Sequence, residues 1–217
     1  MSRSWPTVLT LAALPLLLGS CAIATGSGNV VTESRPVAGF TAVELGGAGE
    51  VTIDQTGSES LTIEADEKFL SLLTSDISNG TLRLGTRPNA MLIEKDQITY
   101  RVTVKDLTGL TITGSGTMTM AKVSTTELQS RISGSGTITV AGTTDTQRVD
   151  ISGSGGFRAG ELASKAATVD ISGSGSTLIQ VSDSLDVRIS GSGSVRYRGI
   201  PRINEHISGS GDLIKGE

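Results

Sequence analysis

Few side chains in this sequence are of types that catalyse reactions or bind metals. The 217 residues include one histidine, His206, and one cysteine, Cys21. A Ser-His-Asp triad would have to use His206, and no Gly-x-Ser-x-Gly motif is present to hold the nucleophile. A zinc site of histidine and cysteine ligands is excluded because one residue of each type cannot complete it. We therefore predict no catalytic residue, no metal site and no cofactor.

Acidic and basic residues in the C-terminal half are arranged in ways that favour structural roles. Calcium-binding β-rolls repeat Gly-Gly-x-Gly-x-Asp, whereas Asp150 and Asp170 precede their glycines and only Asp212 follows one directly. This order argues against calcium bound by the repeats. Four arginines form a local basic cluster, for which we keep two interpretations: solubility with protection of a sheet edge, and contact with an anionic glycan. They are Arg188, Arg196, Arg198 and Arg202.

The elements that must position these residues are set by a repeated Gly-Ser-Gly motif. Its first glycines are 18 to 20 residues apart, which indicates stacked units rather than one closed globule. Apolar and polar residues alternate on both sides of each motif, and this two-residue period is typical of β-strands. The sequence therefore predicts an all-β fold, a single-stranded right-handed β-helix (β-solenoid) with Gly-Ser-Gly corners. The first glycines are Gly114, Gly134, Gly153, Gly173, Gly191 and Gly209.

Stacking in register predicts a column of side chains for each position of the repeat. Isoleucines two residues before the first glycine, such as Ile132, Ile151 and Ile171, should form an inner column. One residue earlier, Arg131 should lie over Asp150 and Asp170 over Arg188, and each exposed pair contributes about 0.2–1 kcal/mol. We interpret this outer column as a solvated ladder rather than a binding strip. Its members are Thr111, Arg131, Asp150, Asp170, Arg188 and His206.

The N-terminus predicts export and a lipid anchor. Residues 1–20 carry one basic residue, Arg3, and an apolar run from Val8 to Leu18 that suits a signal peptide and is short for a membrane span. The segment Leu18-Gly19-Ser20-Cys21 resembles the lipobox of bacterial lipoproteins, which implies that Cys21 becomes a diacylated, palmitate-carrying first residue. The alternative is a secreted protein with one unpaired thiol. Because Ala22 is not a retention aspartate, we expect the outer membrane if the cell is Gram-negative.

The N-terminal half is predicted to have the same architecture with an insertion. Apolar residues around Gly47 follow the spacing of the later copies. Within the insertion we predict a strand over Ser60–Glu64, a short helix from Asp66 to about Ser75, and a hairpin with its turn at Asn79-Gly80. The helix should plug the open end of the solenoid or its side. The predicted boundaries are a signal peptide over 1–20, a tether over 21–35 and one solenoid domain over 36–217, irregular to 105 and regular from 106.

Five features of the sequence occur together in one known family. They are the lipobox Leu18–Cys21, the opening Val43–Ile53, the acidic helix entry Glu64–Glu67, the turn at Asn79–Leu82 and the serial Ile-Ser-Gly-Ser-Gly motif. From about Val37 to Leu213 the chain resembles the head GIN domain family of putative auto-transporter adhesins. The resemblance implies a β-helical protein, secreted or surface-anchored in bacteria. It implies no particular catalytic or binding residue.

We expect a non-catalytic, lipid-anchored β-solenoid of the bacterial cell envelope that acts in adhesion, binding or scaffolding. Its expected partners are the membrane, through Cys21, and an envelope glycan or protein. The net charge of −4, or −5 once Arg3 leaves with the leader, argues against nucleic acid. One alternative is a carbohydrate-active enzyme resembling polysaccharide lyases or hydrolases, although Tyr100 and Tyr197 are too few for a sugar-stacking platform. The other alternative is a self-assembling envelope protein.

Overall fold

Alternating apolar side chains and glycine corners shape the regular part of the chain into a stack of rungs. The computed structural model describes residues 22–93 and 98–216, which form a nearly all-β solenoid of about five turns with one short helix. The predicted signal peptide and Cys21 lie outside the described residues. The elements are β1 (Ala22–Thr25), β2 (Val30–Arg35), β3 (Ala42–Gly47), β4 (Glu50–Gln55), β5 (Ser60–Asp66), α1 (Glu67–Leu70), β6 (Leu73–Ser78), β7 (Thr81–Thr86), β8 (Ala90–Ile93), β9 (Thr99–Val104), β10 (Gly109–Gly114), β11 (Thr117–Gly134), β12 (Thr137–Gly153), β13 (Gly156–Gly173), β14 (Ser176–Gly191), β15 (Ser194–Arg198), β16 (Arg202–Gly209) and β17 (Asp212–Lys215).

Each regular rung is one long strand that pairs in parallel with the rungs on either side. Strands β11 to β14 have 16 to 18 residues, and each runs from one Gly-Ser-Gly corner to the next. The pairing places Ile132, Ile151 and Ile171 directly above one another, and all three are buried. The predicted inner column and solenoid are therefore confirmed. One hydrophobic core runs through the whole stack.

Both glycines of the corner are required by close approach to the rung below. Gly153 has a φ of +119°, and a Cβ there would lie 2.6 Å from the carbonyl oxygen of Gly134. A Cβ on Gly155 would lie 2.4 Å from Cγ2 of Ile132. The first glycine thus lets the two backbones approach, while the second makes room for the isoleucine column. The ladder continues through the corner, because Ser154 N donates to Gly134 O at 2.9 Å.

The N-terminal part extends the same stack, as the glycine spacing predicts. Strand β3 pairs in parallel with β10, so that Gly47 lies opposite Gly114, and β4 pairs with β11. Beyond these strands the pattern changes. Strand β7 pairs in parallel with β3, and β6 pairs antiparallel with β7. Strand β9 pairs in parallel with β4, β5 pairs antiparallel with β9, and β2 pairs antiparallel with β5. Antiparallel pairing in the insertion therefore closes this end of the stack.

The predicted helix is present but much shorter than expected. Asp66 caps it as predicted, accepting a hydrogen bond from Lys68 N at 2.9 Å. The helix ends at Leu70, however, and the extension to about Ser75 is wrong because Leu73 begins β6 and lies opposite Thr86 of β7. The helix packs beside β5, β2 and β1, with Phe69 buried. The Asn79-Gly80 turn is confirmed, since both residues have positive φ and join β6 to β7.

The segment predicted as a tether over 21–35 takes part in the folded structure from Ala22 onward. Strand β1 pairs with β8, and β2 pairs antiparallel with β5. Arg35 donates to the carbonyl oxygens of Leu70 and Leu73 at 2.8 and 2.9 Å. The tether prediction is wrong for this part because alternating residues in β2 complete the sheet beside β5. No helix within the described residues is long and apolar enough to cross a membrane.

Candidate functional site

The outer charge ladder is confirmed as a column of vertical neighbours. Arg131 lies opposite Asp150, Asp150 opposite Asp170, and Asp170 opposite Arg188. Arg131 and Asp150 approach to 3.7 Å, and Arg188 and Asp170 to 3.5 Å. The arginine side chains are about half exposed, so each pair contributes at most about 1 kcal/mol.

Arg148 completes this ladder, although the sequence analysis did not single it out. Its Nη2 lies 3.2 Å from Asp150 Oδ1 and 3.0 Å from Asp170 Oδ2. The guanidinium thereby offsets the repulsion between the two stacked carboxylates. The signal was available, because residue 148 is two positions before Asp150 and so shares its face of the strand. Protein groups already pair both carboxylates of the ladder.

The remaining sequence-predicted residues do not meet at one site. His206 lies opposite Arg188 in β16, the exposed last rung of the described residues. The arginine cluster is divided between two strands. Strand β15 carries Arg196 and Arg198 and pairs with the first part of β14, whereas β16 carries Arg202 and pairs with the last part of β14. The prediction of one local basic cluster is therefore wrong. Residues 22–93 and 98–216 hold no group of three or more acidic, histidine or cysteine residues placed for a metal.

A long trough runs parallel to the axis of the solenoid, across the rungs. In each rung it lies on the middle segment, between the two segments that flank the Gly-Ser-Gly corners. We call it the axial trough, and its volume is about 1040 Å³. Its floor is formed by an inward-facing column and its two walls by the exposed residues on either side. The floor column is Thr125, Thr144, Ser164 and Val181, one wall is Ser124, Thr143, Ala163 and Gln180, and the other is Thr126, Asp145, Lys165 and Ser182.

The charges in the walls of the axial trough largely cancel. Lys165 Nζ lies 2.7 Å from Asp145 Oδ1, and both side chains are more than half exposed. The hydrogen bond and charge of Asp145 raise the pKa of Lys165, so the lysine stays protonated at neutral pH. Asp106, at the N-terminal end of the trough, is the other charged residue among the described lining residues. The trough therefore presents a surface with little net charge, in which threonine and serine hydroxyl groups lie among apolar atoms.

The floor of the trough is held from the core side by a buried amide. Gln147 is only 2% exposed, and its Nε2 donates to Ser164 Oγ at 2.7 Å. Ser164 Oγ in turn donates to the carbonyl oxygen of Gln180 at 2.8 Å. Gln147 Oε1 accepts no hydrogen bond from the described residues. These two bonds fix the Ser164 side chain, a residue that is 6% exposed, on the core side of the trough.

Sequence reasoning missed the axial trough because its residues have no constant spacing from the glycines. Thr143 follows Gly134 by 9 residues, whereas Ala163 follows Gly153 by 10 and Gln180 follows Gly173 by 7. These three residues are nevertheless vertical neighbours, because the register shifts between the rungs. The signal in the sequence was limited to an excess of threonine and serine in these segments.

Comparison with known proteins finds one matching family and several solved structures with a similar fold. A family model described as putative auto-transporter adhesin, head GIN domain, matches residues 39–201. The solved structure of a putative adhesin from Bacteroides fragilis has a TM-score of 0.70 at 21% identity, covering 88% of this chain and 99% of its own. A putative lipid binding protein from Parabacteroides distasonis has a TM-score of 0.56 at 22% identity, covering 90% and 100% respectively. No curated protein matches the chain.

Proposed function

Because this chain belongs to the family of putative auto-transporter adhesins with a head GIN domain, we propose that it is a non-catalytic binding module of the bacterial cell envelope. The observation that carries the proposal is the axial trough, which crosses successive rungs and is lined by at least one threonine or serine in each of β11 to β14. Such an extended surface suits a long ligand rather than a small substrate. A rigid solenoid core supports it, because the rungs share one continuous hydrophobic core.

The arrangement of the acidic groups argues against the carbohydrate-active alternative. Glycoside hydrolysis needs two carboxyl groups facing a scissile bond, one of them free to donate a proton. Asp150 and Asp170 lie on the outer ladder, where Arg148 bonds to both. Asp145, the carboxylate in the middle of the trough, is paired with Lys165. His206, the single histidine, lies in the exposed last rung.

The proposal includes a lipid anchor on Cys21, as the lipobox resemblance implies. Ala22 directly follows this cysteine and begins β1, which pairs with β8 near the N-terminal end of the stack. An anchored chain would therefore have little free segment between the lipid and the folded domain. In this arrangement the regular rungs extend away from the N-terminal end that the lipid holds.

The anchor is tested by expressing the full chain, with its leader, in a bacterial host and separating membrane from soluble fractions. We expect the wild-type chain in the membrane fraction, with a diacylated N-terminal residue by mass spectrometry. Cys21→Ala should be soluble, whereas the neighbouring control Ala22→Ser should remain lipidated. A wild-type chain that is soluble and carries no lipid would contradict the anchor.

Binding is tested separately with the soluble Cys21→Ala chain. The purified protein is sedimented with insoluble bacterial envelope material, and the fraction bound is measured with wild-type and altered troughs. We expect saturable binding that Ala163→Arg, in a trough wall, reduces and that the exposed control Ala121→Arg leaves intact. Absence of saturable binding, or equal binding by both variants, would contradict a binding function of the trough.

A further inference from the structure

We propose that the axial trough binds a linear, uncharged glycan that lies along the solenoid axis. The inference rests on the binding function proposed above and specifies the chemistry of the ligand. It is carried by three properties of the trough: its direction across the rungs, its balance of charge and its supply of hydrogen-bonding groups.

The direction of the trough argues against an extended peptide as its ligand. Peptides that add a strand to a sheet need unpaired backbone N–H and C=O groups at a sheet edge. The trough runs across the strands, and the backbones of β11, β12, β13 and β14 that form it already pair with one another. Protein partners also use buried aromatic or arginine anchors, and no aromatic residue is found among the described lining residues.

The balance of charge argues against anionic polymers. Binding of phosphates or sulfated and carboxylated chains requires uncompensated lysine or arginine side chains. Lys165 in the wall is neutralised by Asp145 at 2.7 Å, and Asp106 adds a negative charge at one end. A chain without charge meets no such penalty. The divided arginine cluster lies mainly outside the trough, so it does not change this balance.

The hydrogen-bonding groups favour a ligand that itself carries many hydroxyl groups. Thr143, Ser124 and Ser182 in the walls are exposed and can both donate and accept. The floor beneath them is held in place, because Ser164 accepts from Gln147 and donates to Gln180 O. These hydroxyl groups lie on β11, β12 and β14, in a stack whose rungs are about 4.8 Å apart, the spacing of paired strands. A linear glycan can meet these groups sugar after sugar.

Affinity in such a site comes from many weak contacts, because no aromatic platform lies among the described lining residues. Each hydrogen bond exchanged with water contributes little, so short oligosaccharides should bind weakly and longer ones more tightly. Dissociation constants on the order of 0.1 to 1 mM are expected for a hexasaccharide. A dependence on chain length is therefore part of the proposal.

The test uses isothermal titration of the soluble Cys21→Ala chain with chitohexaose and cellohexaose, both uncharged, and with hexagalacturonate, which is anionic. We expect at least one uncharged hexasaccharide to bind more tightly than its trisaccharide and more tightly than hexagalacturonate. Ala163→Arg should weaken binding about tenfold or more, and Thr143→Ala should weaken it several-fold, whereas Ala121→Arg should not. Circular dichroism establishes that each variant is folded.

Preferred binding of hexagalacturonate, or equal affinities of the Ala163→Arg and Ala121→Arg variants for the sugars, would overturn the inference. So would failure of both uncharged hexasaccharides to bind. The envelope sedimentation experiment separates the two levels of the argument. If the chain sediments with envelope material through its trough but binds neither uncharged sugar, the glycan inference fails and the proposed binding function stands.

Discussion

The first glycine of each corner meets two constraints that no residue with a Cβ can meet together. At Gly153 the backbone has a φ of +119°, and an added Cβ would lie 2.6 Å from Gly134 O. Either constraint alone costs on the order of 1–3 kcal/mol. The neighbouring Gly156 has neither, since its nearest atoms to an added Cβ are 3.6 Å away and Ser176 occupies the same position one rung later.

We predict that Gly153→Ala lowers the stability by a few kcal/mol, while Gly156→Ala changes it little. Denaturant unfolding followed by circular dichroism measures both, with midpoints compared because stacked repeats can unfold in parts. Similar midpoints for the two variants would contradict the corner geometry, since the two residues lie in the same corner and differ only in φ and clearance.

A second single residue breaks the pattern of the inner columns. Ser130 is 1% exposed and its hydroxyl has no hydrogen-bond partner among the described residues. Its vertical neighbours are Leu110 and Val149, so it lies between two apolar residues of its column. A buried hydroxyl without a partner costs roughly 1–3 kcal/mol.

We therefore predict that Ser130→Val stabilises the protein by an amount in this range. Ser133→Val, on the exposed side of the same strand, serves as the control and should change the stability by less than about 0.5 kcal/mol. Thermal unfolding measures both changes. A Ser130→Val variant that is less stable than the wild type would show that the hydroxyl has a structural partner.

At the level of elements, one carboxylate connects the N-terminal segment to the short helix. Asp66 is fully buried, and it accepts hydrogen bonds from Ser27 N, Ser27 Oγ, Gly28 N and Lys68 N. Burial alone raises the pKa of the Asp66 carboxyl, but these four bonds together outweigh it and hold the pKa below its usual range. The ionised carboxylate therefore stabilises the fold of α1 and the residues before β2.

Because the pKa of Asp66 is lower in the folded than in the unfolded state, its contribution is complete above the unfolded-state pKa. It is lost as the pH falls through the folded-state pKa. We predict that Asp66→Asn lowers the melting temperature at neutral pH, and that this difference narrows below about pH 4. The exposed Asp76→Asn serves as a control with little effect at neutral pH. A difference that widens on acidification would contradict the assignment.

The strands could be predicted from the sequence where the repeat is regular. They could be predicted less well where pairing between residues distant in sequence sets the boundaries of an element. Gly47 revealed a rung 67 residues before Gly114 because both glycines have a positive φ at a corner and apolar residues at the same spacing on either side. The helix was extended too far because Phe69, Leu70 and Leu73 have helical spacing, whereas Leu73 is fixed by antiparallel pairing with Thr86. The axial trough was missed because register shifts between rungs remove any constant spacing from the glycines.

On the scale of the whole molecule, the last described rung differs from those beneath it. Its inner columns end in charged residues, with Glu205 over Val187 and Lys215 over Tyr197. Sheet proteins use such inward-pointing charges to stop edges from pairing with other chains. The placement argues against the alternative of a self-assembling envelope protein, because a second solenoid stacked there would bury both charges.

We predict that the double substitution Glu205→Val and Lys215→Val causes concentration-dependent association in the Cys21→Ala background. Glu161→Val, an exposed glutamate in a middle rung, provides the control for added surface hydrophobicity. Sedimentation velocity distinguishes monomers from stacks. A wild-type chain that already forms long stacks would contradict the role of these charges.

Vertical register between rungs underlies the ladder, the trough and the glycan inference together. Ser152 and Ser172 are directly opposite in adjacent rungs and exposed, whereas Ser152 and Ser190 are two rungs apart. Paired strands lie about 4.8 Å apart, within the range of a disulfide, and two rungs exceed it. The most direct measurement is oxidation of the cysteine pairs Ser152→Cys/Ser172→Cys and Ser152→Cys/Ser190→Cys in the Cys21→Ala background, followed by peptide mass spectrometry. The stacked arrangement predicts rapid, nearly complete intramolecular cross-linking of the first pair and none of the second, and the reverse result would contradict it.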